Sequence, residues 1–194
     1  IEYPMVMAIC SLIFPISRGY VSLTPTTALP ALKSILDQIP VRWVLIGALA
    51  ANRYRSSARM TGDIDLLLAG VGDSLASLED SLIASGWTVR RADPEGELLR
   101  ITHADYGTAD LLISGTEYQQ LAIDRAISEK FEDLEILVLT PEDVILHKLI
   151  AGRFQDLADI EAILETSIKL DLDYLTKWIN VWEAEDLWVQ LYRA

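Results

Sequence analysis

Apolar residues recur along this chain in two alternating rhythms, and the alternation predicts its architecture. Leu29, Leu32, Ile35, Leu36 and Ile39 fall at helical spacing ahead of Pro40, with Thr26 and Thr27 available as caps. Val41 to Ile46 is a short unbroken apolar run, as expected of a buried strand, and Gly47 turns it into a helix of small residues from Ala48 to about Tyr54. A polar loop, Ser56 to Gly62, leads to a second apolar strand carrying Ile64, Leu66, Leu67 and Leu68, which ends at Gly70-Val71-Gly72. Leu75, Leu78, Leu82 and Ile83 mark an amphipathic helix that Gly86 stops. Strands are predicted over Trp87 to Arg91, Leu98 to Thr102 and Thr108 to Ile113, with turns at Asp93-Pro94-Glu95-Gly96 and Asp105-Tyr106-Gly107. A helix from about Thr116 to Ala126 and a strand from Leu134 to Leu139 follow. From Pro141 onward only helical spacing remains, with Thr140 as cap and the proline in the first turn. The fold class is therefore α+β, a mixed β-sheet flanked by helices with a helical C-terminal part. It divides into an apolar extension over 1–20, a sheet-bearing domain over 21–140 and a helical subdomain over 141–194.

The apolar run from Met5 to Ile16 is too short to span a bilayer, which takes about 20 residues, and it contains Pro15. Only Glu2 precedes it where a secretory signal would carry positive charge. It reads as a packed strand or an upstream extension of a domain starting near Val21, so no membrane association is expected and the cytoplasm is the expected compartment. Cys10 is the only cysteine and His103 and His147 the only histidines, which excludes a disulfide framework and any metal centre built on thiolates or imidazoles. With 16 Lys+Arg against 29 Asp+Glu, the net charge of −13 argues against binding to bulk DNA.

The chemistry concentrates between residues 47 and 110. At Gly47-Ala48 a strand breaks at a glycine and a helix begins, a junction that turns backbone N–H groups towards a phosphate. Arg59-Met60-Thr61-Gly62-Asp63-Ile64-Asp65 follows, and in a strand Asp63 and Asp65 share a face. Asp110 stands in a later strand of the same acid-before-leucines character. Carboxylates so crowded repel one another unless a cation with a preference for oxygen ligands lies between them. Three on neighbouring strands suit two Mg²⁺ ions about 3.5–4 Å apart, an arrangement that serves phosphoryl transfer.

Gly47-Ala48, the Arg59-x-Thr61-x-Asp63-x-Asp65 block and Asp110 resemble the nucleotidyltransferase superfamily, and within it the AbiEii/MenT-like nucleotidyltransferases, which include toxins of toxin–antitoxin pairs. Pro141-Glu142-Asp143 leading to Lys148 and on through Arg153, Asp156 and Asp159 is similar to a stretch of that subgroup. The resemblance covers about Val41 to Ile163. It implies a nucleotidyltransferase-like catalytic domain in 21–140 that moves an NMP from an NTP to an acceptor hydroxyl on RNA such as tRNA, on protein or on a small molecule. Asp63, Asp65 and Asp110 would be the catalytic residues and the Mg²⁺ ligands. Gly47, Ala48, Arg59, Thr61 and Lys148 would hold the nucleotide, and a cognate antitoxin would be a partner. One position departs from the pattern: Ala48 stands where the family has Ser or a second Gly, which keeps the backbone N–H and loses the hydroxyl.

Charge placement bears on the same region. Arg42, Arg53, Arg55 and Arg59 fall in a window without an acid from Val41 to Gly62, either a polyphosphate or RNA dock or a solvated face. Asp156 to Ala194 is acidic and suits a basic partner better than nucleic acid. Gly70-Val71-Gly72 lacks the third glycine of a dinucleotide fingerprint, since Leu75 fills that position. His103 reads as a turn histidine, His147 as a half-buried one, and Trp178, Trp182 and Trp188 as core stripes. Asp156 and Asp159, three apart on one helix face, suit ion pairing as well as function. The alternative function is a catalytically weak nucleotidyltransferase-fold binding module that acts through a protein partner.

Overall fold

Strands with unbroken apolar runs take the middle of a seven-stranded mixed sheet, and strands with polar sequences take its edges. The computed structural model describes residues 28–94, 96–131 and 133–192. The N-terminal extension, Cys10, the Thr26 and Thr27 caps and Glu95 of the expected turn lie outside the described residues. In chain order the first half comprises α1 (Ala28–Leu36), β1 (Arg42–Leu45), α2 (Gly47–Ala51), β2 (Asp63–Ala69), α3 (Leu75–Ala84), β3 (Thr88–Arg91), β4 (Leu98–His103) and β5 (Gly107–Ile113). The second comprises α4 (Glu117–Arg125), β6 (Ile127–Phe131), β7 (Leu134–Val138), α5 (Pro141–Ala151), α6 (Phe154–Leu164), α7 (Leu172–Val181) and α8 (Glu185–Tyr192).

The strand order is β3-β4-β5-β2-β1-β7-β6. Central β2 reads Asp-Ile-Asp-Leu-Leu-Leu-Ala, and Leu66, Leu67 and Leu68 are all fully buried, so helices cover both faces of the sheet there. β2 pairs antiparallel with β1 and parallel with β5, and β5 pairs antiparallel with β4. The edges, β3 and β6, carry mostly exposed or half-buried positions. Asp93 closes the β3–β4 turn by accepting from the backbone N–H groups of Glu97 and Leu98 at 2.9 and 2.6 Å.

Two elements depart from expectation. β6, Ile-Ser-Glu-Lys-Phe, has too little apolar alternation to read as a strand, and it forms because β7 offers it a ladder from Ile127↔Val138 to Phe131↔Leu134. α2 stops at Ala51 rather than near Tyr54. Asn52 instead donates to the Arg59 carbonyl at 2.9 Å and accepts from the Arg59 N–H at 3.0 Å, drawing the chain into a loop that delivers residues 59–63 to the sheet.

The C-terminal helices pack into the same apolar core as the sheet, which runs from Ala28 to Leu191. α5 starts as its sequence dictates: Thr140 accepts from the Asp143 N–H, Pro141 occupies the first turn, and Gly152 ends the helix at φ +59°. Its Asp143 is fully buried and correspondingly well satisfied, accepting from Tyr118 Oη (3.0 Å), Tyr174 Oη (2.7 Å), Thr140 Oγ1 (2.8 Å) and Arg125 Nε (3.1 Å). That node ties α4 and α7 to α5. Among the described residues no helix is long and apolar enough to cross a membrane.

Candidate active site

The acids are brought together by strand register alone. Asp63 and Asp65 occupy the first and third positions of β2, and Asp65 lies directly beside Asp110 of β5 in the parallel ladder. Register partners on adjacent strands point to one face, so the three carboxylates crowd one side of the sheet. Gly47 follows β1 at φ +66°, where a Cβ would lie 2.0 Å from Asp65 Oδ2. Glycine is required there twice over, for the left-handed backbone and because the Asp65 carboxylate fills the space. Ala48 is buried in α2, and Thr61 reaches only as far as the Asp63 carbonyl, at 3.4 Å.

Crowding shows in the proton affinities. Burial, then the charges of Asp110 and Asp63, push the Asp65 carboxyl up to about 6. Asp63 is raised too, by burial and then by Asp110, with Arg100 acting in the opposite sense. Asp110, only 4% exposed, is met by an arginine that the sequence reading did not select. Arg100 of β4 is its register partner and donates from Nε to Oδ1 at 2.8 Å and from Nη2 to Oδ2 at 2.6 Å. The signal for it was a lone cation in the otherwise apolar run Leu98-Leu99-Arg100-Ile101.

Opposite the acids lies a hub of cations. Asp159 of α6, with no exposed surface, accepts from Arg59 Nε and Nη2 at 2.8 and 2.9 Å, from Lys148 Nζ at 2.6 Å and from Arg55 Nη1. Asp156 accepts from Lys148 Nζ at 3.1 Å and from Arg153 Nε and Nη2 at 2.6 and 3.1 Å. Burial alone would raise both carboxyls, but hydrogen bonds from Arg153 to Asp156 and from Arg59 and Lys148 to Asp159 hold them below the usual range. Lys148 and Arg153 stand close enough to Asp65 for their charge to favour its ionised form. Four cations against two carboxylates leave the hub positive where it meets the acids.

The arginine window therefore does not act as one surface. Arg55 and Arg59 join the hub, whereas Arg42 pairs with Asp124 and Arg53 with Glu129. Lys148, expected to help hold the nucleotide, is buried between Asp156 and Asp159. His103 is packed between Trp87 and Tyr106 and accepts from the Asp105 N–H, and His147 is pushed down to about 4 by burial against Tyr118.

All-oxygen, anionic and self-repelling, the donor set of Asp63, Asp65 and Asp110 fits a hard divalent cation. Among the described residues no group of three or more acidic, histidine or cysteine side chains is already gathered to hold an ion. Both Asp110 oxygens are engaged by Arg100.

Comparison with known proteins bears on the family and the fold. The family model described as nucleotidyl transferase AbiEii toxin, of a type IV toxin–antitoxin system, matches residues 31–186. No curated protein sequence matches the chain. Among solved structures it is similar to the antibiotic-resistance factor ANT(2'')-Ia (TM-score 0.61, 11% identity, covering 89% of this chain and 98% of that one). An antigenic nucleotidyltransferase-like protein from Paracoccidioides brasiliensis is also similar (TM-score 0.56, 15% identity, 87% and 92% covered). So is the lincosamide antibiotic adenylyltransferase LnuA with lincomycin bound (TM-score 0.53, 15% identity, 75% and 98% covered). At these identities the likeness is one of fold.

Proposed function

The chain belongs to the AbiEii family of nucleotidyl transferase toxins, and from that premise we propose that it transfers an NMP from an NTP to an acceptor hydroxyl at the face shared by Asp63, Asp65 and Asp110. The observation that carries this reading is the Asp65↔Asp110 register with the Asp65 carboxylate seated against Gly47. Asp63 and Asp65, with Asp110, would hold two Mg²⁺ ions. When bound, they supply charge neutralisation on the triphosphate and polarise its α-phosphorus.

The protein's own groups do the rest. The hub of Arg55, Arg59, Lys148 and Arg153 keeps a positive excess facing the triphosphate through charges fixed by Asp156 and Asp159, so its field is set before substrate arrives. Gly47 and Ala48 present backbone N–H groups at the β1–α2 turn, and Thr61 lines its approach. An acceptor oxygen attacks the α-phosphorus, the bond to the bridging oxygen breaks and pyrophosphate departs. The acceptor proton passes to an Asp110 carboxylate oxygen. In this reading 21–140 is the catalytic domain, and 141–194 is a helical subdomain that lends it Lys148, Arg153, Asp156 and Asp159. RNA such as tRNA, a protein or a small molecule is the acceptor, an antitoxin is the partner and the cytoplasm is the site of action.

Incubation with α-labelled NTPs, Mg²⁺ and total RNA, protein or small-molecule acceptors tests it. Label should move to one acceptor class, and Asp63→Ala, at an exposed position, should lower the transfer by roughly 10³-fold. Transfer that survives in Asp63→Ala overturns the assignment. The capture of Asp110 by Arg100 favours a second reading, a binding module that acts through a protein partner; nucleotide binding with no transfer to any acceptor decides for it.

A further inference from the structure

Asp110 has a cation hydrogen-bonded to it, and that cation is held by the sheet. Arg100 and Asp110 are direct register partners in the β4–β5 ladder, and the guanidinium spans both carboxylate oxygens at 2.8 and 2.6 Å. This two-point grip takes a lone pair on each oxygen and sets a positive charge beside the same carboxylate that a metal ion shared with Asp65 would have to use. A second cation there meets electrostatic repulsion at close range. The Arg100 side chain is 24% exposed, so it has solvent to move into; Asp110, at 4%, has not. Arg100 also lies near enough to Asp63 for its charge to act there.

Resting on the nucleotidyltransferase reading, we propose that Arg100 is a built-in counter-cation and positioning residue, which neutralises Asp110 in the metal-free enzyme and must release it before a divalent cation can join Asp110 to Asp65. The ion pair and the loaded metal are then mutually exclusive states of one carboxylate. Metal affinity is reduced by the fraction of molecules in which Arg100 holds Asp110. The same contact keeps a buried carboxylate from standing unpaired when no metal is present.

The test is Mn²⁺ binding without nucleotide, read by electron paramagnetic resonance on the full chain. Arg100→Gln should bind Mn²⁺ roughly tenfold or more tightly than the unaltered protein, a gain set by the lost competition. That gain should vanish in Arg100→Gln/Asp110→Asn. A second readout needs no variant: the Arg100 Nε–H resonance should shift as Mg²⁺ is titrated into the unaltered protein. Equal or weaker Mn²⁺ binding by Arg100→Gln, or an Arg100 resonance that stays fixed at Mg²⁺ saturation, overturns the proposal and leaves the transferase reading standing. Absence of Mn²⁺ binding from both proteins overturns the proposal and the metal assignment together. Should Arg100→Gln fail to fold, the resonance titration decides alone.

Discussion

The two charged regions at the site are built with opposite imbalances. On the sheet, three carboxylates face one arginine; at the foot of α5 and α6, four cations share two carboxylates. The first region comes from neighbouring strands and is held by register. The second comes from helix and loop and is held by ion pairs to Asp156 and Asp159. The difference teaches how a strongly acidic chain can still build a cationic patch: its cations are concentrated against two buried anchors, apart from the acids gathered on the neighbouring strands.

That contrast can be broken most forcefully at the hub. Asp159→Ala leaves Arg55, Arg59 and Lys148 with Asp156 as the one hub carboxylate, and should cost about 3–5 kcal/mol of stability, measured by urea unfolding. A loss below about 1 kcal/mol would mean the hub is solvated and carries no stored charge. On the sheet the sign reverses: in the absence of metal, Asp65→Asn should stabilise the protein at pH 7 by roughly 1–3 kcal/mol.

The pH dependence follows from the same opposition. Asp65 keeps its proton up to about 6 in the folded protein but releases it near 3.8 when unfolded. The native state therefore binds the extra proton between those values, and stability falls as pH rises across that window. The pattern for Asp156 and Asp159 is inverted: their contribution is complete above the ordinary carboxylate range and is lost as pH falls through their lowered values. His147, held down to about 4, contributes the opposite slope over nearly the same window. Between pH 4 and 7 the stability of Asp65→Asn should therefore rise more steeply with pH than that of the unaltered protein, and an identical slope in the two would remove Asp65 as a contributor.

Two smaller effects sharpen the comparison. Gly47→Ala should cost about 1–2 kcal/mol through its left-handed backbone alone, and transfer activity should fall further because the new Cβ displaces the Asp65 carboxylate. Unchanged activity would show that Asp65 need not sit against the turn. Arg42→Ala, which removes a surface pair with Asp124 whose partners are each 55% exposed, should change stability by less than about 1 kcal/mol in thermal unfolding.

Much of the fold was legible because its local signals agree with its tertiary use. The unbroken apolar runs of β1 and β2 read as buried strands, Thr140 and Pro141 announced α5, and Gly47 marked the turn beneath Asp65. β6 was not legible, since its pairing with β7 supplies what its own polar residues do not. At the site, Asp63, Asp65 and Asp110 stood out because acids are conspicuous among leucines. Arg100 was passed over for the opposite reason: a single cation in a strand acquires meaning only when its cross-strand partner is known. Lys148 and Arg59 were selected for the nucleotide, and the spacing of Asp156 and Asp159 suggested ion pairing as well as function without naming the cations they meet.

Periodicity, capping residues and the positions of glycine and aspartate were sufficient to set the mixed sheet, the element order apart from β6 and the three acids that stand out on it, because these are properties of short stretches of chain. Which charges meet was decided by tertiary structure. Strand register brought Arg100 to Asp110, and the docking of α6 against the loop after α2 brought Asp159 to Arg55, Arg59 and Lys148. Electrostatic pairing acts over a few ångströms of space and is indifferent to distance along the backbone, so only the folded arrangement could assign the partners.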